Sequence, residues 1–481
     1  MEKTAEKILL HMASPDMATD HYAIAEAATG HLILPAYSNV SSSASDPVRS
    51  RTASETPLLS SPRHVSTLDG VRGLAVILVL FVHLQLERYL PRDTALLKGL
   101  YALMWSGWIG VDLFFALSGF LITGILLDTC GASNRISSFY GRRALRILPL
   151  YYLAIISSFA VFRFMDLLPH RWSPDATGWL SFLLYIQNWW LPSNQARAGL
   201  LGHFWSLGVE EQFYLLWPAC IWFFSRKIAL RICVAGFSAA FILRAWLVYH
   251  LPNTAPVVLM NTFCRMDTLL AGAFCAFVVR EPALLARFRQ IAPWLFTFAA
   301  AIFLWIDIGR REVISRGQYT QLFGFSALAV GFAIFVLQAD LRADSQGIFS
   351  RLLRMRWLRS FGKYSYGIYV YHAPLFIILH RAFAQRPWFG RALLPSSFMS
   401  LFAVALSFAV AAGSYELIEK RFLNLNIASP HSIARLQANR QDCGPNARPR
   451  MSQAHSSRIS RRSLTARRDL AWFRDNVRWF E

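Results

Sequence analysis

The residues best equipped for chemistry lie where ionisable groups are expensive. His83 closes a run, Leu74 to Val82, that contains no charge at all. An ionisable group inside such a stretch is a functional candidate by default. Eleven residues separate it from Arg72, about 1100° of helical rotation, so the two lie about 20° apart on one face. Asp69 lies about 40° to the other side, and all three are expected to project into one groove. The same spacing is a rise of about 16 Å, which puts His83 near mid-membrane if Arg72 stands at the cytoplasmic headgroups. A neutral imidazole there can serve as a general base toward a hydroxyl, provided its other nitrogen is held by a hydrogen bond. The competing reading is a histidine that bonds a neighbouring helix for packing.

A second group is the block from Phe139 to Pro149, with Arg142, Arg143 and Arg146. Arg142 and Arg146 are four apart and share a helical face, and clustered guanidinium groups suit bidentate phosphate binding. Simple anchoring on the cytoplasmic side is the alternative. The block follows a glycine-rich stretch, 107–124, where Gly110, Gly119 and Gly124 permit close backbone approach. A third group runs from His203 to Tyr214 and holds the adjacent carboxylates Glu210 and Glu211. Two carboxylates entering a span must be paired or face a polar cavity. They are candidates for positioning a sugar hydroxyl or for pairing with Arg72, a structural ion pair being as good an account. Arg265, Asp267, His372, Glu416 and Glu419 are expected to be structural partners, because buried polar groups need hydrogen bonds.

The elements that must position these groups follow from composition. The chain has 481 residues, of which 55% are hydrophobic and only 16% charged, against roughly 25% charged in soluble domains. The apolar residues are grouped into runs long enough to cross a hydrocarbon core, which takes about 20 residues. Ten spans are expected, over approximately 71–87, 108–127, 147–164, 209–225, 229–249, 259–279, 291–308, 320–338, 364–383 and 393–417. The stretch 179–191 is too short to cross and is expected to be re-entrant or interfacial. The fold class is therefore all-α, a polytopic membrane helical bundle. With both termini cytoplasmic, the basic loops fall preferentially inside, although Arg310 and Arg311 fit this poorly.

The net charge of +21 sits largely in those loops and in the tail, so it implies topology and lipid contact rather than nucleic acid. The six cysteines form no C-x-x-C pair, and neither a metal site nor a resident cofactor is expected. Residues 1–65 contain a Ser/Thr/Pro-rich segment and are expected to be disordered, as is the basic segment 424–481. The first 30 residues carry five acidic side chains and lack a long apolar core, so membrane insertion is expected to begin with the helix near residue 66.

Six motifs in order, T-L-D-G-V-R-G-L-A with its downstream His83, G-V-D-L-F-F-A-L-S-G-F-L-I, F-Y-G-R-R-A-L-R-I-L-P, F-W-S-L-G-V-E-E-Q-F-Y, R-M-D-T-L-L-A-G and Y-S-Y-G-I-Y-V-Y-H, together resemble the acyltransferase family 3 of integral membrane proteins. The resemblance covers about residues 66–423, expected to form the membrane-embedded domain. It implies O-acylation of a surface glycan or glycolipid, with His83 catalytic and the R-x-x-R element, Arg143 and Arg146, binding acyl-CoA. Acetyl-CoA is the expected donor substrate, a carbohydrate hydroxyl the acceptor, and Asp69 or Glu211 the group that orients the histidine. Nothing after residue 424 resembles the extra soluble acyl-handling domain that the family often carries. A transporter or flippase of lipid-linked sugars is the rival reading, since ten spans and buried charges suit it too.

Overall fold

The computed structural model describes residues 65–83, 94, 106–164, 169–306, 317–384 and 393–425. Residues 1–64 and 426–481 of the segments expected to be disordered, the end of the first expected span, and Arg310 and Arg311 lie outside these residues. Among the described residues every regular element is helical. In chain order these are α1 (Ser66–His83), α2 (Ile109–Thr129), α3 (Arg135–Phe164), α4 (Ala176–Leu183), α5 (Gln187–Trp190), α6 (Trp205–Phe223), α7 (Arg226–His250) and α8 (Ala255–Met260). There follow α9 (Thr262–Val279), α10 (Pro282–Leu304), α11 (Phe325–Leu341), α12 (Ile348–Leu353), α13 (Arg356–Lys363), α14 (Ser365–Ala384), α15 (Leu393–Ser414) and α16 (Lys420–Leu423).

Among the described residues, seven helical segments are long and apolar enough to cross a membrane. The other three expected spans coincide with α6, α10 and α14, of 19, 23 and 20 residues. Among the described residues, length and composition alone support seven of the ten expected spans. In α6 the two glutamates and Gln212 dilute the apolar run. The short stretch near 179–191 breaks as α4, a turn with Tyr185 at φ 57°, and α5. Its eight-residue first helix is about 12 Å long and cannot cross. Asp175 starts it by accepting from the Gly178 amide at 2.8 Å, which satisfies one of the free amides at the helix end.

Burial sorts the helices into centre and perimeter. In the apolar window ending with α9, 72% of residues are buried inside the protein, against 17% for α7. The helix α9 therefore forms the axis, packed on α2, α7 and α11, while α7 turns Ile242 and Trp246 outward. The crossing of α2 and α9 requires glycine on both sides. A Cβ at Gly119 would stand 1.9 Å from the Leu269 carbonyl oxygen, and one at Gly272 would stand 2.0 Å from that of Ala116. Helix α1 is clasped by α2, α11, α12, α13 and α14. A Cβ at Gly73 would meet the Leu358 carbonyl at 2.0 Å, so only glycine lets α13 lie on the helix that carries Arg72 and His83.

Two ion pairs tie the central helices together. Arg244 of α7 meets Asp267 of α9 at 2.7 Å, with both side chains fully buried. Arg265 of α9 meets Asp112 of α2 and lies over the Phe325 ring, 3.8 Å from its centroid. Arg265 and Asp267 are structural partners as expected, but of residues on other helices rather than of each other. Glu416 takes Lys420 at 2.7 Å and Lys363 at 4.0 Å at the edge of the bundle.

Candidate active site

Two cavities lie along α1. The first, of about 130 Å³, gathers Arg72 with Arg143 and Arg146 of α3, and opposes them with Glu210 and Glu211 of α6. Arg143 stacks over Tyr214 with its guanidinium carbon 3.7 Å from the ring centroid. Its Nε is buried without a hydrogen-bond partner, and its charge acts on both glutamates. Glu210 is held by the Ser118 hydroxyl, which donates to it at 2.8 Å. Ser206, Glu210 and Tyr214, spaced by four, all line this cavity, the helical spacing that puts side chains on one face.

The second cavity, of about 310 Å³, contains His83, His203, Asp112 and Arg265. The His83 Nδ1 lies 2.9 Å from the Val79 carbonyl oxygen one turn earlier. A carbonyl only accepts, so Nδ1 carries the proton and Nε2 presents a lone pair. Tyr369 of α14 lines both cavities. Its hydroxyl donates to the His203 carbonyl at 2.8 Å and receives a hydrogen bond from Ser206. With Val111, which also lines both, it stands between the arginine cavity and the histidine cavity.

The expected residues thus distribute in a way the sequence reading did not anticipate. Arg72 and His83 do not share a groove: Arg72 lines the first cavity and His83 the second. Asp69 lines neither and pairs with Arg72 at 3.1 Å. The histidine ring is held by a backbone carbonyl of its own helix rather than by Asp69 or Glu211. Of the arginine block, Arg143 and Arg146 reach the cavity and Arg142 lines neither one. Helix rotation fixes a face but not which neighbours divide the space in front of it, and Tyr369 and Val111 stand at that division.

Residues that the sequence reading left as structural also reach the site. Tyr366, Tyr369 and His372 recur every three residues along α14; the first two line the first cavity, and His372 stacks against His83. That periodicity within the Y-S-Y-G-I-Y-V-Y-H motif is the signal that could have found them. Asp112 and Arg244 were likewise visible as lone charges in apolar runs.

A model of the acyltransferase domain matches residues 65–414. The chain belongs to the acyltransferase family. It is 28% identical over 344 residues to the O-acetyltransferase OatA of Staphylococcus aureus, a match covering 68% of this chain and 53% of that protein. To the peptidoglycan O-acetyltransferase OatA of Listeria monocytogenes it is 30% identical over 379 residues, covering 75% of this chain and 56% of the relative. A putative peptidoglycan O-acetyltransferase of Bacillus subtilis, YrhL, is 31% identical over 333 residues, 66% of this chain and 49% of its own length. The chain thus spans about half the length of the curated relatives it matches. No solved structure matches it. All six motifs lie inside the matched acyltransferase domain, and so do both cavities.

Proposed function

We propose that this protein is a membrane-embedded O-acyltransferase that takes an acyl group, acetyl in the simplest case, from cytoplasmic acyl-CoA and places it on a glycan hydroxyl. Peptidoglycan is the acceptor class to which the relatives' names point. The observation that carries the reading is the pairing of a triple-arginine cavity with a histidine cavity across Tyr369 and Val111. Three guanidinium groups suit the phosphates of a nucleotide-bearing donor, which a sugar flippase has no need to grip on one side only.

In this mechanism the donor phosphates rest on Arg72, Arg143 and Arg146, and the thioester reaches past Tyr369 toward His83. The lone pair on His83 Nε2 takes the proton of the acceptor hydroxyl as its oxygen attacks the thioester carbon. The carbon–sulfur bond breaks, and the thiolate leaves with the proton that His83 returns. The Val79 carbonyl keeps Nδ1 protonated throughout, so the ring presents the same nitrogen in every cycle.

The test is transfer of label from acetyl-CoA to peptidoglycan fragments by the full chain in membranes. His83→Ala should lower the rate by about 10²- to 10⁴-fold, the usual contribution of a positioned base. Full transfer by that variant would remove His83 from the centre of the reaction.

A further inference from the structure

His83 does not face its cavity alone. The ring of His372 stands edge-on to it, with centroids 4.6 Å apart and planes at 84°. The ring of His203 follows at 4.9 Å from His372. His372 is 2% exposed, and its Nδ1 lies 2.8 Å from the Tyr369 carbonyl oxygen and 3.1 Å from that of Ile368. Both oxygens only accept, so Nδ1 carries the proton and the lone pair of the neutral ring sits on Nε2. That Nε2 is buried and has no hydrogen-bond partner. Buried polar atoms left unpaired are few, and each calls for an explanation.

His83 has the same internal arrangement, its Nδ1 proton committed to Val79. Two imidazoles in ring contact therefore both offer a basic Nε2, and each has its one proton tied to its own helix. No hydrogen bond joins His372 Nε2 to His83 as the rings stand, and one added proton on His83 Nε2 would give it a partner. Arg265 and Asp112 line the cavity and pair through Arg265 Nη2, leaving Arg265 Nε and Nη1 and one Asp112 oxygen unpaired. The Tyr369 hydroxyl is committed to the His203 carbonyl, and the His203 ring lies against the Tyr369 and Val370 backbone. Among the described residues no three such side chains converge closely enough to share a metal ion.

We propose that His372 is a positioning residue that holds the reaction's proton together with His83. The proposal rests on the reading of His83 as the base. The acceptor hydroxyl gives its proton to His83 Nε2, which then donates a hydrogen bond to His372 Nε2. The imidazolium is thereby steadied until the proton passes back through His83 to the departing thiolate, and His372 ends each cycle unchanged. Its role is that of the carboxylate in a serine hydrolase triad, filled here by a neutral ring that suits an apolar surrounding.

Two substitutions separate this role from packing. In His372→Asn the amide nitrogen stands where Nδ1 does and can keep the bond to Tyr369, but no atom replaces Nε2. In His372→Gln the amide oxygen reaches the place of Nε2 and can accept from the imidazolium. With the full chain in membranes, labelled acetyl-CoA and peptidoglycan fragments, His372→Asn should lower kcat about 10- to 100-fold, the usual effect of removing a partner that orients a reactive group. The KM for acetyl-CoA should not change, and His372→Gln should restore most of the rate. If His83→Ala is inactive while His372→Asn keeps the wild-type kcat, or if the Asn and Gln variants lose equally, the proposal is overturned. Full activity of His83→Ala instead removes the base reading beneath it. Should the Asn variant not elute as a single species, the Gln variant decides alone. A kcat within about tenfold of wild type, a smaller loss than that expected on removing the partner, then supports the role, and any deeper loss refutes it.

Discussion

Arg142 and Arg143 are adjacent in sequence, yet of the two only Arg143 lines either cavity along α1, and that contrast gives a sharp test of the donor site. Removing a hydrogen bond to a charged group costs about 1.5–3 kcal/mol, which is roughly a 10- to 150-fold change in affinity. Arg143→Ala should therefore raise the KM for acetyl-CoA by about that factor, while Arg142→Ala leaves it unchanged. The alanine variant has a second effect, because it also removes the cation that acts on Glu210 and Glu211. Arg143→Lys separates the two. It keeps the charge beside the glutamates but loses the planar fork and the stack on Tyr214, so a rise of about tenfold in KM is expected with the fold retained. The assay is the initial rate of label transfer against acetyl-CoA concentration, on protein that elutes as one species in detergent. Equal losses in the Arg142 and Arg143 variants would refute the reasoning, because they would mean that a diffuse positive surface, and not a lined cavity, meets the donor.

Two further outcomes concern stability. Arg244→Ala leaves Asp267 buried without its partner and should cost about 3–5 kcal/mol, whereas the double replacement Arg244→Met with Asp267→Leu should recover most of it; thermal unfolding in detergent measures both. Hydrogen bonds from Thr177 and from the Gly178 amide hold the Asp175 carboxyl below the usual carboxylate range. Because the folded-state value is the lower one, the stabilisation is complete above a pH of about 5, a unit above the pKa of an unfolded aspartate. It fades as the pH falls further. Limited proteolysis near α4 should accelerate below that point in wild type, and Asp175→Asn should flatten the pH dependence.

Much of the fold was legible because a bilayer imposes a simple code of length and polarity. Helices stand where apolar runs of sufficient length stand, and the broken segment at α4 and α5 follows from a run too short to cross. The arginine block and His83 stood out for the same reason, as charges where charge is costly. What the sequence did not contain was partnership. Arg265 pairs across 153 residues with Asp112, and Arg244 across 23 with Asp267, and no local spacing says so. Helical rotation put Asp69, Arg72 and His83 in one groove, but Arg72 and His83 line different cavities and Asp69 neither, a division that is a tertiary fact. The meeting of His83, His203 and His372 is another, since their segments are joined only in three dimensions.

The ion pair between Arg265 and Asp112 also bears on how the chain is made. A charge at the centre of a single inserted helix costs about 2.5–3.5 kcal/mol on insertion scales. During synthesis α2 emerges with Asp112 long before α9 brings Arg265, so early in its life the aspartate has no guanidinium to meet. Arg244 waits in the same way, though more briefly, for Asp267. Both charges therefore meet their partners only when α9 joins α2 and α7. The axial helix of the finished bundle is thus the clasp that completes its biogenesis, and a ribosome stalled before α9 would leave two charged helices with nowhere stable to go.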